Sequence, residues 1–249
     1  MMDERKIHFI ISRKNGPSSE TYEEEFLIPY RPSMNIITAL MEIRKNPYTK
    51  DGQKTNPVEW ESVCLEEVCG ACSMLVNGKP RQACSTQVDQ LEQPVRIAPL
   101  SAFPVERDLI INRKKMFEGL RKVKAWIEVD GTYDLGPGPR MAEKDRRWAY
   151  ELSKCMTCGL CFEACPNVND RSGFIGPAPL SQVRLFNNHP TGKMQAHERL
   201  DRIMLEDGLT SCGNSGNCVR ACPKEIPLTT SIADLNRQAT IHSFKRFFG

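Results

Sequence analysis

Eleven cysteines in a chain of 249 residues fall into three bursts with none left over. The first burst is Cys64, Cys69, Cys72 and Cys84, spaced C-x4-C-x2-C, with the fourth following after eleven residues. Cys155, Cys158, Cys161 and Cys165 form the second, followed by Pro166. Cys212, Cys218 and Cys222 form the third, followed by Pro223. Such spacing places several thiolates on one short loop, as iron–sulfur ligation requires, and implies a chain that carries electrons singly. An odd cysteine count and an N-terminus without the look of a secretory signal argue against a disulfide framework. Zinc favours two separated Cys-x2-Cys knuckles, which the continuous second run fits poorly.

In the first burst, three thiolates come from the tight loop around Glu67-Val68-Cys69-Gly70-Ala71-Cys72, where Gly70 and Ala71 are small enough to bring N–H groups near the sulfurs. Ser73–Val76 reads as a strand, Asn77-Gly78 as a two-residue hairpin turn, and Lys79–Gln82 as the return that delivers Cys84. This is the plant-type ferredoxin pattern, and Cys64, Cys69, Cys72 and Cys84 are expected to hold a [2Fe–2S] cluster.

The second run, C-x2-C-x2-C-x3-C-P, is that of bacterial ferredoxins, in which the fourth cysteine serves the other cluster. With that exchange Cys155, Cys158, Cys161 and Cys222 make a [4Fe–4S] site, and Cys165 joins Cys212 and Cys218. A complete third run would carry a cysteine at position 215, which is Ser215. Ser215 leaves two readings, a loop residue beside a three-iron cluster or an alkoxide ligand to a fourth iron. Hard oxygen ligands are seldom used here, so [3Fe–4S] is expected.

Around these bursts the chain reads as α+β in two domains. Residues 1–110 carry strands at Lys6–Ser12, Glu24–Ile28 and Val95–Ala98, with a helix capped by Asn35 that lines up Ile36, Leu40 and Ile43. That pattern suits a β-grasp, plant-type ferredoxin domain. Residues 111–249 read as an α-helical ferredoxin domain, with one apolar stripe at Met116, Leu120 and Val123 and another at Trp148 and Leu152. Gly131–Pro139 reads as a turn-rich loop, and further helices are expected at Leu180–Asn187, His197–Leu205 and Ile232–Phe247.

The formal charge of +3 counts the cysteines as neutral thiols. Eleven thiolates outweigh the positive cores of three oxidised clusters and make the loaded protein negative, so no nucleic-acid partner is expected. The basic runs Arg113–Lys115, Arg121–Lys124 and Lys144–Arg147 read as solvated helix faces, with a subunit or headgroup contact as the other reading. His8, His189, His197 and His242 are scattered and surplus to complete cysteine sets. Trp60, Trp126 and Trp148 read as core or interface anchors. No apolar stretch approaches the about 18 residues of a membrane helix. The last helix is amphipathic, and either packs on the helical core or meets an anchor or membrane surface.

One plant-type domain followed by a helical domain with a full and a depleted cysteine run resembles the iron–sulfur subunit of succinate dehydrogenase and fumarate reductase. Cys69-Gly70-Ala71-Cys72-Ser73-Met74, Phe174-Ile175-Gly176-Pro177 and Cys222-Pro223-Lys224 carry the resemblance further, over almost the entire chain. The resemblance implies a FAD-containing flavoprotein partner that interconverts succinate and fumarate, and a membrane-anchor subunit that handles quinone. Electrons would pass from flavin to [2Fe–2S], then [4Fe–4S], then [3Fe–4S], on the cytoplasmic face of the bacterial cell membrane. No residue of this chain would act on succinate. Ubiquinone-reducing members carry a tryptophan pair after the second Cys-Pro and a histidine after the first cysteine of the third burst. Here those places hold Asn169, Asp170 and Gly213. The chain is more similar to the menaquinone-linked type, whose anchor is a dihaem cytochrome b subunit.

Overall fold

Period-two alternation along β1 (Lys6–Lys14) sends Ile7, Phe9, Ile11 and Arg13 to one fully buried face. β2 (Thr21–Pro29) pairs with it antiparallel from Lys6↔Pro29 to Lys14↔Thr21. The chain then crosses through α1 (Ile36–Lys45) and the cluster loop. It returns by β3 (Ser73–Val76), β4 (Lys79–Gln82) and β5 (Val95–Ala98), the last parallel to β1. The sheet runs β2-β1-β5-β3-β4, a mixed β-grasp arrangement.

Asn35 caps α1 with a full capping box: its Oδ1 accepts from Thr38 N at 2.9 Å, and Thr38 Oγ1 accepts from Asn35 N at 2.9 Å. The buried face of α1, Ile36, Ile37, Ala39, Leu40 and Ile43, packs with the inner face of the sheet. Each large side chain so buried is worth about 1.5–3 kcal/mol. β6 (Val105–Arg107) and β7 (Ile110–Ile111) add a small two-stranded ribbon.

The structure, a computed structural model, describes residues 5–128 and 140–248, so the loop expected at Gly131–Pro139 lies outside the described residues. The chain forms two compact units, Met1–Arg113 with Cys158–Glu163, and Lys114–Thr157 with Ala164–Gly249. α4 (Leu160–Glu163) belongs to the first, where Glu163 accepts hydrogen bonds from Ser101 Oγ at 2.7 Å and Ala102 N at 2.8 Å.

The second unit is helical: α2 (Lys114–Lys122), α3 (Glu143–Ser153), α5 (Pro177–Asn188), α6 (Ala196–Ile203), α7 (Asn217–Arg220) and α8 (Leu228–Phe248). Two buried arginines tie it together. Arg184 of α5 stacks on Trp148 of α3 at 3.9 Å, donates to Ser231 of α8 at 3.3 Å and pairs with Asp234 at 3.3 Å. Arg199 of α6 donates to the carbonyls of Lys124, Trp126 and Gly192, satisfying chain ends that burial would otherwise orphan. The first half of α8 buries Leu228, Ser231, Ile232, Leu235 and Ala239. Its end leaves Ile241, Phe244, Phe247 and Phe248 exposed at 44, 60, 83 and 77%. Packing on the helical core therefore accounts for only half of that helix.

Candidate iron–sulfur sites

Three short loops present the cysteines, and each is bent by left-handed residues. In the first, Leu65, Glu67 and Gly70 have φ of 61°, 55° and 74°. Those bends turn the N–H groups of Glu66 and Val68 onto Cys64 Sγ, both at 3.4 Å, and that of Ala71 onto Cys69 Sγ at 3.5 Å. The two N–H donors hold the Cys64 thiol down to about 7, ready to ligate. Burial pushes the Cys72 thiol up to about 12; the backbone N–H of Cys84 opposes the rise and its thiol adds to it.

The Asn77-Gly78 turn, with φ of 48° and 72°, is the hairpin that brings Cys84 back beside Cys72, where Ala83 N donates to Cys72 O at 3.0 Å. Inward N–H groups, with Cys64 beside Cys69 and Cys72 beside Cys84, suit ligation of a [2Fe–2S] core.

Sequence reasoning missed what braces this loop. Arg113, expected on a solvated basic face, is only 14% exposed; it donates to Ala71 O at 3.0 Å and pairs with Glu61 at 2.7 Å. A basic triplet in sequence gives no sign of which member turns inward.

The second and third loops repeat one another. Thr157 and Gly159 have φ of 51° and 87°, and Asn214 and Gly216 have 51° and 71°, at the same offsets from Cys155 and Cys212. A four-residue helix follows in each, α4 and α7. Gly159 O accepts from Phe162 N at 3.0 Å, and Gly216 O from Val219 N at 3.2 Å. After each Cys-Pro the turn closes alike, Val168 N on Cys165 O and Glu225 N on Cys222 O, both at 3.1 Å. In this repeat Ser215 holds the backbone place of Cys158. It is exposed, with its Oγ 3.5 Å from Asn217 N.

Electrostatics group the remaining sulfurs. Burial raises the Cys155 thiol, and the charge of Cys222 raises it further. Burial raises Cys218, with Cys165 and then Cys212 adding to it. Burial likewise raises Cys165, opposed by the N–H groups of Asn167 and Val168, with Cys212 again as the neighbouring charge. Cys155 thus lies within reach of Cys222, and Cys165 of Cys212 and Cys218. Cys158 and Cys161 sit at the bend and on α4 of the second loop, Cys161 buried. Among the described residues no three Cys, His, Asp or Glu side chains crowd around a point that would hold a single ion.

The four histidines are engaged elsewhere. His8 pairs with Glu25, His242 with Asp201 and His197 with Glu198, while His189 Nδ1 accepts from Thr191 N and Gly192 N.

Comparison with known proteins agrees with this arrangement. Residues 8–118 match the 2Fe-2S iron-sulfur cluster binding domain family, and residues 151–226 match the 4Fe-4S dicluster domain family. The succinate dehydrogenase iron-sulfur subunit of Bacillus subtilis (strain 168) is 64% identical over 249 residues, 100% of this chain and 98% of its own. The fumarate reductase iron-sulfur subunit of Wolinella succinogenes is 31% identical over 223 residues, covering 88% of this chain and 90% of its own. A chain of the Mycobacterium smegmatis Sdh1 complex in the apo form shares the fold, with a TM-score of 0.74 at 22% identity over 97% of this chain and 98% of that one. Two ferredoxin-type modules in one polypeptide, each bending N–H groups toward its cysteines, define an iron–sulfur electron carrier. The chain belongs to the family of succinate dehydrogenase and fumarate reductase iron–sulfur subunits, electron-transfer components of multi-subunit complexes.

Proposed function

We propose that the chain passes single electrons from a FAD-containing succinate dehydrogenase flavoprotein subunit to a membrane-anchor cytochrome b subunit carrying haem b and menaquinone, as succinate is oxidised to fumarate. Cys64, Cys69, Cys72 and Cys84 hold [2Fe–2S]; Cys155, Cys158, Cys161 and Cys222 hold [4Fe–4S]; Cys165, Cys212 and Cys218 hold [3Fe–4S]. The observation that carries this reading is the crossed grouping of the sulfurs, Cys155 with Cys222 and Cys165 with Cys212 and Cys218. Ser215 at the backbone place of Cys158 supports three irons in the last cluster. When bound, the clusters supply one-electron storage, which divides a two-electron dehydrogenation into single steps. The chain's part is to hold the sulfurs, exclude water and donate N–H groups that set each potential.

Two positions favour a menaquinone-linked anchor. Asn169, where ubiquinone-reducing members carry tryptophan, is spent on its own turn: Oδ1 accepts from Arg171 N at 2.9 Å and Ser172 N at 3.0 Å, and Nδ2 donates to Pro166 O at 2.8 Å. At Gly213, where those members carry histidine, an added Cβ would stand 3.0 Å from Asn167 Oδ1. The subunit sits peripherally on the cytoplasmic face of the bacterial cell membrane, held through the anchor. None of the described helices is long and apolar enough to cross a membrane.

Electron paramagnetic resonance on the anaerobically isolated complex tests this. Beside the broad signals of co-purifying ferric haem b, an oxidised sample should show one sharp signal that vanishes on mild reduction. An oxidised sample without that sharp signal would overturn the three-iron assignment.

A further inference from the structure

The ligand assignment leaves one buried polar chain beside Cys72 without a role. Cys72, Ser73 and Gln82 are 3, 2 and 2% exposed, and Ser73 faces Gln82 across the β3–β4 ladder. Cys72 Sγ–H donates to Gln82 Oε1 at 3.2 Å, Gln82 Nε2 donates to Ser73 Oγ at 2.8 Å, and Ser73 Oγ donates to Gly70 O at 2.8 Å. Every member is satisfied, and the direction of the chain is set by the thiol proton.

Iron on Cys72 removes that proton. The amide oxygen would then face an electron-rich sulfur with no hydrogen between them, a buried repulsion. The two ends of a glutamine amide have nearly the same shape, so turning it over moves no neighbour. Nε2–H then donates to the sulfur, Oε1 accepts the Ser73 hydroxyl proton, and Ser73 releases Gly70 O. That carbonyl keeps Arg113 Nη2 at 3.4 Å. No group is orphaned.

We infer that Gln82 is a positioning residue for the [2Fe–2S] cluster, an acceptor toward the free Cys72 thiol and an N–H donor toward the ligated sulfur, with Ser73 as the relay that permits the exchange. The inference rests on Cys72 being a ligand. An N–H bond to a ligating sulfur draws charge from it and favours the reduced cluster, so Gln82 raises the potential of that cluster alone.

The test is a redox titration of the [2Fe–2S] signal in the intact complex, together with pulsed resonance of the reduced cluster in protein labelled with nitrogen-15 at glutamine side chains. Gln82→Leu should lower the reduction equilibrium constant about tenfold, about 59 mV for a one-electron couple. The [4Fe–4S] potential should stay in place. Ser73→Ala, which leaves the turned-over Oε1 without its donor, should weaken the nitrogen coupling, and an undiminished coupling would overturn the relay. An unchanged potential in Gln82→Leu would overturn the inference. Should that variant fail to load, the labelled wild-type complex decides: a glutamine nitrogen coupling supports the inference and its absence overturns it. A wild-type complex with no [2Fe–2S] signal would instead overturn the ligand reading, and the inference with it.

Discussion

Thr157 and Asn214 share a left-handed backbone, φ 51° in each, two residues after Cys155 and Cys212. Residues other than glycine adopt that conformation seldom, because Cβ crowds the carbonyl, and its recurrence at one offset marks two copies of a single ligand loop. The next residue of each copy holds the same backbone position, Cys158 in one and Ser215 in the other. Under the proposed three-iron assignment, Ser215→Cys is therefore expected to supply a fourth thiolate and convert that site to four irons. Resonance spectra of the oxidised complex should lose their sharp signal entirely while the [2Fe–2S] signal of the reduced complex persists.

The glycines that follow separate the two copies. Gly159 has φ 87°, and a Cβ on it would lie 2.8 Å from the Phe103 ring; Gly216 has φ 71°, and a Cβ there would meet only the far end of the Arg220 side chain, at 3.4 Å. Alanine at either position costs about 1–2 kcal/mol for the left-handed backbone. At Gly159 the collision with a buried ring is added. Gly159→Ala is expected to reduce iron incorporation at the second cysteine run severely, and Gly216→Ala mildly. Iron content per complex, compared between the variants, checks the order.

Arg13 and Asp108 form the most buried ion pair of the first unit, both 1% exposed, with Arg13 Nε 2.9 Å from Asp108 Oδ1. Asp108 also accepts from Lys14 N at 3.1 Å and Glu59 N at 3.0 Å, whereas Arg13 keeps Glu24 as a second partner. Removing the carboxylate strands the N–H groups of Lys14 and Glu59, whereas removing the cation leaves two carboxylates without it and strands the carbonyls of Asn56 and Pro57, to which Arg13 Nη2 donates at 3.1 and 3.4 Å. Breaking one side of such a pair costs about 3–5 kcal/mol. Arg13→Met should thus fall nearer the upper end and Asp108→Leu nearer the lower. Thermal loss of [2Fe–2S] absorbance would measure both, and a larger drop for Asp108→Leu would refute the ordering.

The features legible in sequence are those whose cause is local. Cluster ligation needs short fixed spacings, so Cys64 to Cys84 and the two later runs stand out. Asn77-Gly78 names its own turn, and Ser73–Val76 and Lys79–Gln82 fall where the alternation puts them. The fold class and the α1 cap were readable for the same reason. Arg13 and Asp108 lie 95 residues apart, and only the folded sheet brings them together. Val105–Arg107 and Ile110–Ile111 are too short to show a period. Arg113, Ser73 and Gln82 look like ordinary polar surface until burial shows otherwise. In α8 the apolar spacing was visible, but not that its start packs on the protein while its end does not.

That division of α8 carries the last prediction. The exposed end gathers Phe244, Phe247 and Phe248 beside Lys245 and Arg246, with Phe248 stacked on Phe244 at 6.3 Å and edge-on to Phe247 at 5.0 Å. Aromatic side chains interleaved with basic ones suit an apolar surface rimmed by negative charge, as at a membrane interface. His242 and Arg246 hold this end to Asp201 of α6, both at 2.8 Å, so the rings are presented on a fixed helix. Replacing all three phenylalanines by serine removes no buried contact of the Leu228–Ala239 face. The stability of the subunit should change by about 0.5 kcal/mol or less for each substitution, about 1.5 kcal/mol at most for the three together. The fraction of the subunit recovered with membranes, and the electron transfer from succinate to quinone measured there, should both fall. Unchanged recovery would place the attachment elsewhere on the subunit and leave these rings without a partner at the membrane.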